Sequence, residues 1–249
     1  MIKKKLLLGL FFTLVSCFCS YAQKFFVAEG LNFEVLQDSC VKVVSFPNYK
    51  YIGNIVVPES VTYEGVKYRV TTVGQRAFAS CSSLLSVQLP QSVTVIQTAA
   101  FQFCPNLGNV VFPKKLEEIG DFAFQNCTKI TSVTIPNSTK AIGGCCFDHC
   151  SALSNVTIGS GLKKIKRGTF SYCQKLRNIS IPATIESIED AAFSNSQLST
   201  IVFVGKNTKY TDYAFSSTPY FAAHSQRSKS MRGTFEKRTG RKIRGTVTY

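Results

Sequence analysis

The sequence predicts an elongated solenoid of short parallel β-strands, and three observations predict it. Phe78, Phe101, Phe124, Phe147, Phe170 and Phe193 recur every 23 residues without a slip. A cysteine follows three positions after each of the first five, at Cys81, Cys104, Cys127, Cys150 and Cys173, and an aliphatic residue stands three further on, at Leu84, Leu107, Ile130, Leu153 and Leu176. Next comes a short alternating segment such as Val87-Gln88-Leu89 or Val133-Thr134-Ile135, closed by Pro90, Pro113, Pro136 and Pro182, with Gly159 in the remaining copy. A fixed period in the twenties around a Leu-x-x-Val-x-Leu core is the pattern of leucine-rich repeats, each a strand plus a return segment that cannot bury its apolar face alone. The expected fold is a leucine-rich repeat solenoid. It has a curved parallel β-sheet of about six such repeats, short irregular or 3-10 return segments, and an N-terminal β cap.

In full, the repeat reads Ile-Gly-x-x-Ala-Phe-x-x-Cys-x-x-Leu-x-x-Val-x-Leu-Pro-x-x-Val. Its clearest copy is Ile119-Gly120-Asp121-Phe122-Ala123-Phe124-Gln125-Asn126-Cys127, followed by Ile130, Val133, Ile135 and Pro136. At this level of detail, from about Val70 to Phe215, the chain resembles the BspA-like, Treponema pallidum-type leucine-rich repeat family of bacterial secreted and surface proteins. That resemblance implies the fold, and it implies adhesion to host matrix or serum proteins, or to other bacteria, through the repeat surface. Because repeat scaffolds host many partners, the implied role is analogy.

Taken in order, the chain opens with an export signal over residues 1–22. Met1-Ile2-Lys3-Lys4-Lys5 is a positive n-region, Leu6 to Cys19 an apolar h-region, and Ser20-Tyr21-Ala22 a small-x-small cleavage site. The apolar run falls short of the ~20 residues that span a bilayer, so no transmembrane span is expected. Leu14-Val15-Ser16-Cys17 also resembles a bacterial lipobox, which would leave Cys17 as a lipid-modified N-terminus at the cell surface or outer membrane.

Residues 23–69 do not follow the repeat but alternate like strands in Val41-Lys42-Val43 and Asn54-Ile55-Val56-Val57. Val61 to Val70 reads as a hairpin turning at Gly65. This segment is expected to cap the solenoid, whose first coil would otherwise expose apolar side chains and unpaired strand groups. The solenoid itself occupies residues 70–220, where Phe78, Leu84, Val87, Leu89, Ile96 and their equivalents point inward.

The positions flanking each buried Val then face solvent. One column is Ser86, Asn109, Ser132, Asn155, Asn178 and Thr200; the other is Gln88, Val111, Thr134, Thr157, Ser180 and Val202. This is the expected partner-binding face, for a protein or glycan on host or bacterial surfaces. Such columns also simply suit a solvated sheet. No aromatic residue stands in them to serve as an anchor.

Ten cysteines fall to eight without the leader. Five share one repeat slot, where equivalent thiols cannot all pair, and they read as small buried groups; Ser196 takes the sixth slot. Cys145-Cys146-Asp148-His149-Cys150 brings together zinc-ligand chemistry. The register nevertheless assigns Cys146 to the small buried slot of Ala77, Ala100 and Ala123, and Cys150 to the cysteine column. Cys145 and His149 alone do not make a structural metal site, so no metal and no cofactor is expected. The two histidines, His149 and His224, belong to no nucleophile–base grouping, and a Cys150–His149 pair would need an exposed thiol of low pKa. An enzyme is not expected.

Net charge is +15, or +12 without the three leader lysines. Residues 221–249 hold +7 of it, with Arg227, Lys229, Arg232, Lys237, Arg238, Arg241, Lys242 and Arg244 against Glu236. Three readings stand for this tail: a solvated end, attachment to anionic surface polymers, and nucleic acid, the last disfavoured by the export signal. A second basic group, Lys163, Lys164, Lys166, Arg167, Lys175 and Arg177, scatters over different faces of the fifth repeat.

Overall fold

A computed structural model describes residues 24–46 and 50–224 of the chain. The leader with Cys17, and the tail residues Arg227, Lys229, Arg232, Lys237, Arg238, Arg241, Lys242 and Arg244, lie outside the described residues. The first strands are β1 (Phe25–Ala28), β2 (Leu31–Val35), β3 (Cys40–Val44), β4 (Gly53–Val56), β5 (Ser60–Tyr63) and β6 (Val66–Val73). Antiparallel pairs β1–β2, β2–β3 and β5–β6 build the cap, with the expected hairpin turning at Gly65, whose φ is +76°. Its core is aromatic, with Phe26 stacked on Tyr63 at 4.3 Å between ring centroids.

Beyond the β5–β6 hairpin every pairing is parallel, and each coil carries a short strand and, except over residues 109–112, a long one. The long strands are β7 (Leu84–Gln88), β10 (Ser132–Ile135), β12 (Asn155–Ile158), β14 (Asn178–Ile181) and β16 (Thr200–Phe203). Between them lie the two-residue strands β8 (Val95–Ile96), β9 (Glu118–Ile119), β11 (Ala141–Ile142), β13 (Lys164–Ile165), β15 (Ser187–Ile188) and β17 (Lys209–Tyr210). The cap joins both ladders: β6 pairs with β8, and β4 pairs with β7 in the register Ile55↔Val87. A 3-10 helix, Asp212–Phe215, and a short helical turn over residues 219–224 follow the last strand.

Phenylalanine stacking runs the length of the core. From Phe78 to Phe193 neighbouring rings lie 5.0–5.6 Å apart and within 13° of parallel. Phe215 extends the stack at 5.5 Å although it comes one residue early. Tyr51 heads it, tilted over Phe78 at 4.9 Å, and Tyr220 ends it edge-on to Phe215 at 5.5 Å. All six periodic rings are fully buried, each contributing roughly 1.5–3 kcal/mol of hydrophobic stabilisation.

Each phenylalanine sits in a turn flanked by two left-handed residues, such as Phe122 (φ 58°) and Asn126 (φ 61°) around Phe124. These turns make their own ladder: Phe124 N–H donates to Cys146 O at 2.8 Å in the following coil, and Asn126 N–H to Asp148 O at 2.9 Å. In the short strands the direction reverses, Gly143 N–H donating to Ile119 O of the preceding coil at 2.8 Å. The backbone is thus satisfied in both directions along the axis.

One expectation needs correction. The long strands do not form one continuous sheet but the pairs β4–β7, β10–β12 and β14–β16, and residues 109–112 are not a strand. Asn109 and Val111, expected on the sheet, therefore lie in an irregular segment. At the step from this segment to β10, Asn109 Oδ1 accepts from Thr131 N–H (2.9 Å), Ser132 N–H (3.2 Å) and the Thr131 hydroxyl (3.2 Å). A side-chain oxygen thereby takes donors that a ladder carbonyl would otherwise receive.

Candidate binding surfaces

Alternation along each long strand fixes which side chains meet solvent, because successive residues point to opposite faces. Val133 and Ile135 are buried while Ser132 and Thr134 are not; Ile179 and Ile181 are buried while Asn178 and Ser180 are exposed. Ser86, Gln88, Asn155, Thr157, Thr200 and Val202 also lie on the outer side. The register pairs Ser132↔Asn155, Thr134↔Thr157, Asn178↔Thr200 and Ser180↔Val202, so within each paired set of strands the outward residues are direct neighbours. The cap lengthens them by one coil, with Asn54 opposite Ser86 and Val56 opposite Gln88. Ser86 Oγ donates to Asn54 Oδ1 at 2.7 Å. Val56, Leu85 and Val111 are exposed toward the N-terminal end, Val111 at 80%, and Val202 and Val204 toward the C-terminal end.

Neither column contains a charged residue. Charge is gathered instead beside the short strands, where it is paired from coil to coil. Lys140 meets Glu117 at 3.3 Å, Lys163 meets Glu186 at 3.4 Å and Lys164 meets Glu189 at 3.3 Å. Two lysines of the basic fifth repeat are thus partnered by the sixth. Exposed pairs of this kind add little stability.

The cysteine column is internal. Cys104, Cys127, Cys150 and Cys173 are buried, and each thiol donates to the phenylalanine carbonyl of the coil before it: to Phe78 (3.0 Å), Phe101 (3.1 Å), Phe124 (3.2 Å) and Phe147 (3.3 Å). Burial pushes the Cys127 thiol up to about 12 and holds Cys146, Cys150 and Cys173 well above the ordinary value. Cys81, at the head, is drawn lower, first by the hydrogen bond with the Cys104 thiol, but it is buried. All eight described cysteines, including Cys40 and Cys145, are free. Where hydroxyls replace thiols, Ser196 and Thr218 donate within their own coil, to Phe193 O (2.8 Å) and Phe215 O (2.6 Å).

In the fourth coil the polar cluster is resolved into separate roles. Cys146 and Cys150 are core, and Asp148 is buried under a row of hydrogen bonds. Gln102 Nε2 donates to Gln125 Oε1 (2.6 Å), Gln125 Nε2 to Asp148 Oδ2 (2.8 Å), and Ser171 Oγ to Asp148 Oδ1. His149 Nδ1 lies 2.9 Å from Asp148 Oδ1, and its ring stacks on Tyr172 at 4.2 Å. Among the described residues no group of three or more His, Cys, Asp or Glu side chains is gathered to hold a metal ion. No helix among them is long and apolar enough to cross a membrane.

A surface that the sequence reading passed over is the edge formed by the turns. The slot two residues after each core phenylalanine holds Ser80, Phe103, Asn126, His149, Tyr172 and Asn195, every one with φ between 53° and 61°. Reading down that column shows three aromatic rings, a signal present in the repeat register all along.

Comparison with known proteins follows the same lines. A family model for the BspA-type leucine-rich repeat region matches in six copies, over residues 45–176 and 94–222. Among solved structures, a leucine-rich cell surface protein from Faecalibacterium prausnitzii is 29% identical with a TM-score of 0.71, over 78% of this chain and 52% of its own. A T. pallidum leucine-rich repeat protein is 25% identical with a TM-score of 0.67, over 82% of this chain and 95% of its own. A leucine-rich repeat protein from Bacteroides ovatus, 23% identical with a TM-score of 0.55 over 78% of this chain, shares the fold. The chain spans about half the length of the F. prausnitzii protein and 57% of the B. ovatus one. No curated protein matches it.

Proposed function

The chain belongs to the BspA-type leucine-rich repeat family, and from that premise we propose that it is an exported, non-catalytic surface protein that binds macromolecules through its long-strand face. The partner class is a protein or glycan of host matrix, serum or another bacterium's surface. The observation that carries this reading is the uncharged pair of columns from Ser86 and Gln88 to Asn178 and Ser180, whose small side chains leave a face open to close approach. Exposed Val56, Leu85 and Val111 at one end supply the apolar area that the polar columns lack. Support for a surface location comes from the export signal and from the F. prausnitzii relative, itself a cell surface protein.

A second reading rests on the basic residues Arg227 to Arg244. In it the protein is a structural cell-envelope component, held to anionic polymers by its tail, with the solenoid as a spacer. Salt separates the two, because exposed charges are screened within about 8–10 Å at physiological ionic strength. Residues 23–220 without the tail should bind immobilised matrix or serum proteins, or bacterial surfaces, saturably at physiological salt. If only the full chain is retained, and only at low salt on acidic polymers, the tail reading replaces the first.

A further inference from the structure

Beside the last short strands, residues that differ from coil to coil line a cleft of about 440 Å³, within the size range of small-molecule sites. There β13, β15 and β17 lie side by side, in the registers Ile165↔Ile188 and Ile188↔Tyr210. Two residues past the buried isoleucine, the second to fourth coils hold Thr98, Asp121 and Gly144, whereas the fifth holds Arg167 and the sixth Asp190. Opposite Ser187 the next coil places Lys209. Ile188, which is buried, and Tyr210, braced by Phe203 at 5.4 Å and by Phe215 at 5.3 Å, supply an apolar wall.

The acids of this cleft are already engaged. Glu189 Oε2 accepts the Arg167 backbone N–H at 3.0 Å, and Glu189 Oε1 lies 3.3 Å from Lys164 Nζ. Asp190 Oδ1 accepts the Thr211 hydroxyl, which leaves the second carboxylate oxygen as an acceptor. The cations are not engaged: among the described residues, neither the exposed Arg167 guanidinium nor the exposed Lys209 ammonium forms an ion pair. Their strands are two steps apart, about 10 Å, and both side chains line the one cleft from the coils on either side of the sixth. Arg167, Lys209 and Lys164 outnumber Glu189 and Asp190, while Lys166 and Asp212, next along the chain, offset each other. The cleft therefore carries a surplus of one positive charge.

We propose that this cleft is a second binding site, separate from the long-strand face and from the basic tail, that takes a sugar acid. The sugar's carboxylate goes to Arg167, whose planar fork of donors matches it, and to Lys209. Its hydroxyls go to Ser187 and to the second oxygen of Asp190, and its C–H groups meet the wall of Ile188 and Tyr210. A sugar acid brings one negative charge, which the surplus neutralises, together with several hydroxyl donors for Asp190. Inorganic phosphate brings close to two charges, and the Asp190 and Glu189 carboxylates repel the second. An amino acid's ammonium would meet the surplus of positive charge.

The test is titration of the full-length protein at physiological salt, followed by ligand-observed NMR, with D-galacturonic acid, N-acetylneuraminic acid, D-galactose, inorganic phosphate and glycine. Expected is saturable binding of at least one of the two acids, with a Kd on the order of 1 mM for so small a molecule. D-Galactose, which lacks the carboxylate, should bind at least about tenfold more weakly, as should phosphate and glycine. Arg167→Gln/Lys209→Gln should bind the acid at least about tenfold more weakly with its Tm unchanged, because both head groups are exposed and unpaired. Lys175→Gln/Arg177→Gln, in the same basic repeat but outside the cleft, should bind as the parent does, and Asn155→Arg on the long-strand face likewise. Absence of saturable binding by both acids would overturn the proposal. So would phosphate, glycine or galactose binding as tightly as the acids, or undiminished binding by Arg167→Gln/Lys209→Gln.

Discussion

Cys127 donates its thiol hydrogen to the carbonyl oxygen of Phe101, 26 residues earlier, at 3.1 Å. The contact ties one coil to the coil before it at the centre of the core, and the same bond recurs from Cys104, Cys150 and Cys173. The cysteine column therefore fills volume and also satisfies a carbonyl in a place water does not reach. Cys127→Ala should destabilise the protein by about 1–3 kcal/mol, the cost of an unmade bond to a buried polar group. Urea denaturation measures it; a change below about 0.5 kcal/mol would assign the column to packing alone.

Alkaline pH should unfold the protein early. Burial raises the thiols of Cys127, Cys146, Cys150 and Cys173 above the ordinary value, Cys127 to about 12. A raised folded pKa contributes stability that is whole below the unfolded value near 8.5 and is lost as pH climbs toward the folded one. Each such thiol removes about 1.4 kcal/mol per pH unit in that window. Under reducing conditions the urea midpoint should hold to pH 8 and fall steeply between pH 9 and 11. A flat profile would show that the thiols are open to water.

Phe124 lies between Phe101 at 5.0 Å and Phe147 at 5.3 Å, with Phe112 packed against it at 5.6 Å. Phe124→Ala should cost about 3–5 kcal/mol, the range for a large buried aromatic. Thermal melting reads the loss. A two-step melt would show in addition that the coils on either side of the gap unfold separately, as nearest-neighbour coupling in a solenoid allows.

Close packing of successive coils leaves no space at Gly143, where an added Cβ would lie 2.2 Å from the Asp121 nitrogen. Gly143→Ala has to push backbone apart and should destabilise by about 1–3 kcal/mol, as overpacking does. A neutral result in the same melting assay would mean that the two coils can separate without loss.

Cys145 is the partly exposed thiol of the fourth coil, its pKa raised by burial and by the nearby Asp148 carboxylate. With Cys40, it should be alkylated in the folded protein while the cysteine column stays protected. Its rate should keep rising above pH 9, past the point where a free thiol levels off. Mass mapping after brief iodoacetamide treatment would show this, and early labelling of Cys127 or Cys150 would contradict it.

Much of the architecture was legible because volume repeats. A phenylalanine, a small residue and a Val-x-Ile core must each meet its copy one coil away, so their spacing in sequence is their stacking in space. Tyr51 was not legible as the head of the ring stack: it stands outside the 23-residue register and reaches Phe78 through a cap of different topology. At the break, the Asn109 side-chain oxygen reaches two backbone donors, and residue type alone does not announce that choice. The turn edge was hidden differently. Phe103, His149 and Tyr172 stood in register, but rings give no sign of left-handed backbone, which the neighbouring Asn126 and Asn195 do favour.

The central claim is that the uncharged long-strand face is where a partner docks. Its most direct measurement is the binding isotherm, at physiological salt, of the full-length protein and of Thr134→Arg/Asn155→Arg/Asn178→Arg on immobilised host matrix and serum proteins. The parent should bind saturably and the variant about tenfold or more weakly, a ΔΔG of at least about 1.4 kcal/mol. The variant's circular dichroism and Tm should be unchanged. Equal binding by the two proteins would contradict that claim.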